Sequence, residues 1–298
     1  MLSFLPNIVL GCLSLTLYFF NTLFWLIPII LFSFMKALLP FSAWQKLFSY
    51  LLDAMASNWV IINTGIQKLL TQVKFEVTGL EGLSPNGWYL VVSNHQSWVD
   101  ILVLQRLLHK RIPFLKFFLK KELIYVPFLG LAWWALDFPF MKRYSKEFLA
   151  KNPHLKGKDI ETTRKACNKF KYKPVSVMNF LEGTRFTAAR HQKQQSPFKH
   201  LLKPKAGGIA FVLDAMGEHL NKMVNVTIYY PNGIPTFFDF ISGKVTAVNV
   251  AIETTEISKD MIGDYFNDND FQENFQQKVN QLWLDKDAKL THFAKQKH

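Results

Sequence analysis

The first 35 residues of the chain contain no Asp, Glu, Lys, Arg or His. A helix of that length extends about 52 Å, whereas the hydrocarbon of a bilayer is about 30 Å thick. One upright span is therefore too short to account for the segment. Pro28 interrupts it, and Trp25, Trp44 and Trp59 suit a membrane interface. The pattern predicts either one kinked, tilted helix or two half-embedded helices that continue to residue 70.

A cleaved signal peptide is the alternative interpretation of this segment. It would have a positively charged start, a shorter apolar run and a small-residue cleavage site, and the sequence matches none of these. Lys36 and Lys46 follow the apolar run, with only Asp53 before Lys68. This excess of positive charge predicts that the following domain faces the cytoplasm.

The positive charge of the chain is concentrated in one region. The formal net charge is +13, and residues 101–205 hold 23 Lys and Arg against 6 Asp and Glu. Each cation near an anionic bilayer contributes about 1 kcal/mol, so the region suits anionic head groups or phosphorylated substrates. Nucleic acid is the competing partner. No nucleic-acid-binding motif accompanies the charge, and we expect no nucleic-acid partner.

Cysteine and histidine usage gives no indication of a disulfide or a metal site. Cys12 lies in the apolar segment and Cys167 in the polar part of the chain, and no cluster has metal-ligand spacing. We therefore expect a reducing compartment and no metal.

From residue 71 the chain alternates short apolar runs with longer mixed segments, which is typical of an α/β domain extending to about residue 255. The predicted strands are residues 74–78, 88–93, 114–119, 175–180 and 224–230, and the predicted helices include residues 98–108, 158–170 and 207–216. Residues 258–297 have helical apolar spacing and predict a packing helix. Residues 186–204 lack an apolar period and predict a mobile surface loop or lid.

A first group of polar residues directly follows the strand at residues 88–93. His95 and Asp100 would point about 140° apart within one helix, so they can meet only if His95 precedes the first turn and folds back over it. An imidazole held by a carboxylate suits proton removal from an alcohol. Alternatively, Ser97 and Asp100 form a capping box and His95 is an ordinary surface residue. The spacing alone does not distinguish the two.

A second group follows the strand at residues 175–180. Gly183 allows close backbone approach, and Thr184 and Arg185 offer a hydroxyl and a planar set of donors suited to phosphate. Glu182 is interpreted as a structural carboxylate that fixes Arg185, with direct participation in the chemistry as the alternative. A glycine turn with a surface arginine is the alternative interpretation.

Both groups, in this order, resemble the signatures of the glycerolipid (1-acyl-sn-glycerol-3-phosphate) acyltransferase family. Asn94, His95 and Asp100 match its first motif, and residues 181–185 match its third. Between them, Lys120 belongs to a matching segment, and Arg143 falls where the family places a substrate-contacting arginine. The resemblance covers residues 71–255, including a Lys-x-Gly at residues 205–207. It looks closest to the bacterial inner-membrane branch named YihG.

Two departures from the family pattern concern specificity rather than the reaction. Asn225 stands where the fourth motif usually has proline within an apolar strand, and the stretch at residues 186–204 is longer than typical.

The resemblance implies a mixed sheet flanked by helices, with residues 1–70 as a membrane anchor and residues 71–298 as the catalytic domain. It implies transfer of a fatty acyl group from acyl-CoA or acyl carrier protein to the hydroxyl of lysophosphatidic acid, with no cofactor. His95 would be the base oriented by Asp100. Arg185, Arg143 and Lys120 would hold the acceptor phosphate, with Glu182, Gly183 and Thr184 beside them. Membrane lipids would be the partners and the bacterial inner membrane the location.

Three alternatives remain at this point. The acceptor can be another lysophospholipid such as lysophosphatidylglycerol. A lipid ester hydrolase would use Ser97 as its nucleophile, although no Gly-x-Ser-x-Gly elbow is present. A non-catalytic membrane-binding protein would keep the basic charge and tolerate loss of His95.

Overall fold

The computed structural model describes residue 2 and residues 4–141, 170, 173–265 and 267–296. Arg143, Cys167 and nearly all of the helix predicted at residues 158–170 lie outside the described residues. Helices are numbered below over the described part of the chain only.

The N-terminal segment forms an antiparallel pair of helices, α1 (Asn7–Leu38) and α2 (Ser42–Leu70). The Asn21 side chain joins their middles by donating to the Trp59 carbonyl and to Asn63 Oδ1, at 3.0 and 2.8 Å. The apolar run forms the single helix α1, which continues through Pro28, and α2 follows it to residue 70. Among the helices described, α1 alone is long and apolar enough to cross a membrane, judged by length and composition.

A six-stranded mixed sheet forms the centre of the remaining chain. Its strands are β1 (Lys74–Thr78), β2 (Tyr89–Ser93), β3 (Leu115–Phe117), β6 (Ser176–Phe180), β7 (Lys222–Tyr229) and β8 (Ala247–Glu256), in the order β1-β8-β7-β2-β6-β3. Only the β7–β8 pair is antiparallel among these neighbours. A separate parallel ribbon pairs β4 (Leu119–Lys120) with β5 (Phe140–Met141).

The predicted strands are confirmed with small shifts at their ends, and one predicted strand is divided. The strand expected at residues 114–119 forms β3 in the main sheet and β4 in the ribbon. The division occurs at Phe118, whose amide donates to Met178, while the next amide, of Leu119, donates to Pro139. β8 was not predicted as a separate strand, because its second half is polar and exposed.

Helices cover both faces of the sheet, as the expected fold class requires. The α1–α2 pair, α3 (Val99–Leu108), α4 (Leu129–Ala135) and α7 (Phe237–Ile241) lie on one side. The other side carries α6 (Gly207–Met216) and the C-terminal helix α8 (Asn269–Lys295). Successive side chains of a strand point to opposite faces of the sheet. Val91 therefore packs into the hydrophobic core on the side of α1 and α2, whereas its neighbours Leu90 and Val92 pack into the core on the side of α6 and α8.

The predicted C-terminal packing helix is confirmed, but the predicted lid is wrong. Residues 186–204 contain α5 (Ala188–Gln194), and they bury Phe198, Leu201 and Leu202. Asp287 of α8 accepts hydrogen bonds from the amides of Lys199 and His200, at 2.8 and 2.7 Å. These anchoring contacts come from a helix almost ninety positions later in the chain, so no local period reveals them.

The α1–α2 pair is attached to the α/β domain along its length. Ser14 of α1 donates to the Ile241 carbonyl at 2.8 Å, and Lys36 pairs with Asp137 beyond the end of α4. Asp53 of α2 binds Lys116 of β3 at 2.7 Å. From Ser14 to Lys36, α1 therefore follows the domain for about 33 Å.

Candidate active site

The candidate site lies at the carboxyl ends of the central strands β2, β6 and β7. Asn94, the first residue after β2, is fully buried. Its side chain donates to the Ile228 carbonyl and accepts from the Ile228 amide, both at 2.9 Å. The side chain thus extends the β2–β7 pairing by one step while the main chain turns away toward α3.

This turn brings His95 back over the start of α3, as the spacing predicted. His95 Nδ1 lies 2.9 Å from Asp100 Oδ2. The same oxygen accepts hydrogen bonds from the amides of Gln96 and Ser97, at 2.6 and 2.9 Å. Asp100 therefore caps the turn and also holds the imidazole, so its capping role does not leave His95 as an ordinary surface residue.

The arrangement fixes the tautomer of His95. Asp100 is completely buried and its Oδ2 receives two backbone amides, so it acts as an acceptor toward the imidazole. The proton of neutral His95 accordingly resides on Nδ1, and Nε2 is the basic nitrogen. The ring also stacks on Phe180 at the end of β6, with ring centroids 3.9 Å apart and planes 14° apart.

Sequence reasoning missed one residue of this site, Tyr230. Its hydroxyl donates to Asp100 Oδ1 at 2.7 Å, and the residue is buried. Burial, together with the neighbouring charge of Asp100, raises the pKa of Tyr230 well above its ordinary value, so the phenol stays protonated. The available signal was its position: Tyr230 directly follows β7, which neighbours β2 in the sheet.

Glu182 is structural, but it does not fix Arg185, and that part of the prediction is wrong. It is fully buried, and its Oε1 and Oε2 accept the amides of His95 and Leu202 at 2.7 and 2.9 Å. Burial raises the pKa of Glu182 to about 8, while these amides and the charge of Lys286 act in the opposite direction. Glu182 therefore ties the third motif to the backbone of the catalytic histidine candidate.

Arg185 reaches the first motif through an aromatic ring. Gly183 has a φ of 68°, a left-handed conformation that glycine adopts without strain, and its amide closes the turn onto Phe180. After the half-buried Thr184, the exposed Arg185 guanidinium lies 5.0 Å from the centre of the Trp98 ring. The two motifs also share a backbone contact, since the Phe186 amide donates to the His95 carbonyl at 2.7 Å.

Lys120 is exposed in the β4–β5 ribbon rather than in the hydrogen-bond network of His95. It pairs in register with Met141, and the chain beyond Met141 leads to Arg143, which lies outside the described residues. The Lys205 amide donates to the Leu181 carbonyl at 2.8 Å, which links the Lys-x-Gly segment to the third motif.

The C-terminal helix α8 supports the site from the face of the sheet opposite α1 and α2. Trp283 Nε1 donates to the Leu202 carbonyl at 3.0 Å, so the residue whose amide binds Glu182 is held from both sides. Lys286 is fully buried and contacts the Thr227 hydroxyl at 3.2 Å, and burial lowers the pKa of Lys286 to about 7. Asn225, the departure in the fourth motif, is buried and donates to Glu253 of β8 at 3.2 Å.

Known proteins share both the sequence pattern and the fold. Residues 74–231 match the family described as Acyltransferase. The chain is 27% identical over 169 residues to 1-acyl-sn-glycerol-3-phosphate acyltransferase delta of Mus musculus, which covers 52% of this chain and 42% of that protein. It is 31% identical over 133 residues to the alpha protein of Homo sapiens, covering 44% of this chain and 41% of that protein. The chain thus spans less than half the length of these relatives.

A solved structure extends the likeness to nearly the whole chain. The 1-acyl-sn-glycerophosphate acyltransferase PlsC from Thermotoga maritima aligns with a TM-score of 0.52 and 16% identity, covering 92% of each chain. That likeness concerns the fold, including the N-terminal helices. The family match spans more than half of the residues and contains both motifs of the candidate site. This chain belongs to the acyltransferase family.

Proposed function

We propose that the chain is a membrane-bound O-acyltransferase that forms phosphatidic acid in phospholipid biosynthesis. It would move a fatty acyl group from an acyl-CoA or acyl carrier protein thioester to the free hydroxyl of lysophosphatidic acid. The observation that carries the proposal is the His95–Asp100 pair, held at the sheet edge with the Arg185 turn beside it. The names of the related proteins support this acceptor.

In the proposed reaction, His95 carries out the proton transfer. Because Asp100 keeps the proton of neutral imidazole on Nδ1, Nε2 takes the proton of the acceptor hydroxyl as its oxygen attacks the thioester carbonyl. A carbon–oxygen bond forms, the carbon–sulfur bond breaks, and the departing thiolate receives the proton from His95. A base placed in this way contributes typically about 10²- to 10⁴-fold to the rate.

Arg185 would bind the acceptor phosphate. Its guanidinium is exposed and packs over Trp98, the residue before the first turn of α3. Contact with an aromatic face leaves the planar donors of the guanidinium directed sideways, where they can form two parallel bonds to phosphate. Holding the phosphate places the hydroxyl relative to His95, which is an orientation effect. We propose Lys120 and Arg143 as further phosphate contacts.

The hydrolase alternative is disfavoured by the surroundings of Ser97. Its hydroxyl donates to the Pro235 carbonyl at 2.6 Å and accepts from the Val99 amide at 3.2 Å, and the residue is buried. Since its proton is committed to a carbonyl, Ser97 is not activated by His95 as a nucleophile would be.

We further propose that α1 lies in the plane of the membrane surface. Its contacts with the domain extend over about 33 Å, which exceeds the hydrocarbon thickness. An upright α1 would carry α7, with its half-buried Asp239, into the lipid. The opposite side of α1 is apolar and exposed, and Phe128 and Trp134 of the α4 region extend it through ring contacts with Phe19 and Phe34. The catalytic domain would face the cytoplasm at a bacterial inner membrane.

Replacement of His95 with alanine in purified protein reconstituted in lipid vesicles tests the reaction. A panel of lysophospholipids with both donors, read by mass spectrometry, identifies the product. We expect phosphatidic acid from the wild type, loss of at least about 10²-fold with His95→Ala, and wild-type activity with the control His292→Ala, since His292 is exposed on α8. Undiminished transfer by His95→Ala would disprove the mechanism, and release of free fatty acid alone would establish the hydrolase.

Depth measurements test the membrane arrangement. Fluorophores attached singly at Ile8, Phe20 and Phe34, all exposed on α1, would be quenched by lipids brominated at different depths. We expect one shallow depth for all three positions. A depth that changes steadily from Ile8 to Phe34, over about 39 Å of helix, would show that α1 crosses the bilayer.

A further inference from the structure

Asp100 has a second side-chain partner besides His95, and this partner directly follows a different strand, β7. The Tyr230 hydroxyl donates to Asp100 Oδ1 at 2.7 Å, while His95 Nδ1 lies 2.9 Å from Oδ2. Both oxygens of a carboxylate with no exposed surface are thereby occupied. We propose that Tyr230 is a positioning residue for acyl transfer, which sets the orientation and the charge of Asp100 and through it the basicity of His95.

The orientation follows from the distribution of donors on the two oxygens. Oδ2 receives His95 and the amides of Gln96 and Ser97, whereas the Tyr230 hydroxyl is the side-chain donor to Oδ1. This one bond prevents the carboxylate from rotating about its axis and exchanging its oxygens. The role rests on the proposed function, because it concerns the base of that reaction.

The electrostatic effect has a definite sign. A phenol that donates to Oδ1 spreads the negative charge of Asp100 and weakens its attraction for a protonated imidazole. Removing the donor strengthens that attraction, so His95 should hold its extra proton to higher pH. A base that remains protonated is inactive, and the acidic limb of the rate profile should move upward.

The other groups around His95 stay unchanged in this comparison. Glu182, from the turn after β6, accepts the His95 amide, and Lys286 of α8 lies behind it within its electrostatic range. Arg185 packs on Trp98 at the edge of the site. Tyr230 is buried behind Asp100, so it does not meet the acceptor.

The experiment compares Tyr230→Phe with Tyr229→Phe in the full-length protein reconstituted in lipid vesicles. Tyr229 is the adjacent residue in the chain but stacks on Phe293 of α8, so it is a matched loss of a hydroxyl outside the site. For Tyr230→Phe we expect the acidic limb of the pH profile of kcat to move to higher pH by about half a unit to one unit. At pH 6.5, kcat should fall about three- to tenfold, while KM for lysophosphatidic acid should stay within about twofold of the wild-type value. Tyr229→Phe should retain the wild-type profile.

A second variant reverses the sign and adds only one fluorine atom to the buried ring. Site-specific 3-fluorotyrosine at position 230 is a stronger donor, and it should move the limb to lower pH than in the wild type. NMR titration of the His95 imidazole in detergent should show the same two opposite shifts, and this readout needs no turnover. The inference therefore remains testable if Tyr230→Phe does not fold or if the acceptor proves to be a different lipid.

Two results would overturn the inference. One is an unchanged imidazole titration and rate profile in both Tyr230 variants. The other is a shift in the same direction for phenylalanine and fluorotyrosine, which would indicate a packing effect. Absence of any acyl transfer by the wild type, with the opposite NMR shifts intact, would refute the proposed function alone.

Discussion

Replacing Glu182 with glutamine removes one of the two acceptors that join the third motif to the rest of the site. In the wild type, Oε1 accepts the His95 amide and Oε2 accepts the Leu202 amide. Glutamine has one acceptor oxygen and one NH2 group at these places. Whichever way it turns, the NH2 group faces a backbone N–H, and one buried donor is left without an acceptor.

The magnitude follows from that unpaired donor. A buried group that loses its partner costs about 1–3 kcal/mol, and we expect this loss in the free energy of unfolding. A shift of the His95 backbone by about 1 Å would lower kcat by up to about 10²-fold. The exposed Glu218 after α6 provides a matched control, and Glu218→Gln should change neither quantity.

The effect should also depend on pH in a definite direction. The pKa of Glu182 is raised by burial from 4.5 to about 8 in the folded protein. The folded state therefore binds this proton more tightly than the unfolded chain. The resulting stability is fully present below about pH 4.5 and is lost as the pH rises through about 8. Glutamine has no such proton, so the stability difference between wild type and Glu182→Gln should narrow from pH 6 to pH 9.

Chemical denaturation in detergent at several pH values, with steady-state kinetics on the same samples, measures both effects. Lys286 is present in both proteins, and the charge of Glu182 raises its pKa, so the measured difference includes the loss of that coupling. A stability difference that widens toward pH 9 would show that the ionised carboxylate is the form that holds the two amides. The reasoning from burial would then be refuted.

Three further substitutions test other contacts of the site. Asp100→Asn keeps an acceptor for the turn amides but removes the charge beside His95. We expect kcat at pH 7 to fall about 10²- to 10⁴-fold, with only a small decrease in the free energy of unfolding. A loss of folded protein in circular dichroism as large as the loss of activity would contradict this. Trp98→Leu removes the ring beneath Arg185, and KM for lysophosphatidic acid should rise about three- to tenfold at constant kcat, as initial rates over a range of acceptor will show. Trp283→Phe removes the donor to the Leu202 carbonyl and should lower the free energy of unfolding by about 1 kcal/mol in a denaturant titration.

Much of the fold could be predicted because its signals are local. A run of 35 residues without charge indicates a membrane-facing helix, and apolar periods identified β1, β2, β6, β7, α6 and the C-terminal helix. The stretch at residues 186–204 was wrongly predicted to be a lid, because the contacts that anchor it come from a distant part of the chain. Its buried residues Phe198, Leu201, Leu202 and Pro204 lie outside helices and strands, and Asp287 anchors it from α8.

Some contacts of the candidate site are likewise local in the sequence, and others join distant residues. The sequence by itself offered the His95–Asp100 pair and the Gly183 turn as one of two interpretations each, and the resemblance to the acyltransferase family selected them. Both could be found because the residues of each lie within one short stretch, where backbone geometry limits the outcome. Only the tertiary structure decided that Tyr230, the residue after β7, holds Asp100, that Glu182 binds the His95 amide rather than Arg185, and that α1 lies along the domain. Each of these contacts joins residues from distant parts of the chain, and their meeting depends on strand order and layer packing, which no local pattern encodes.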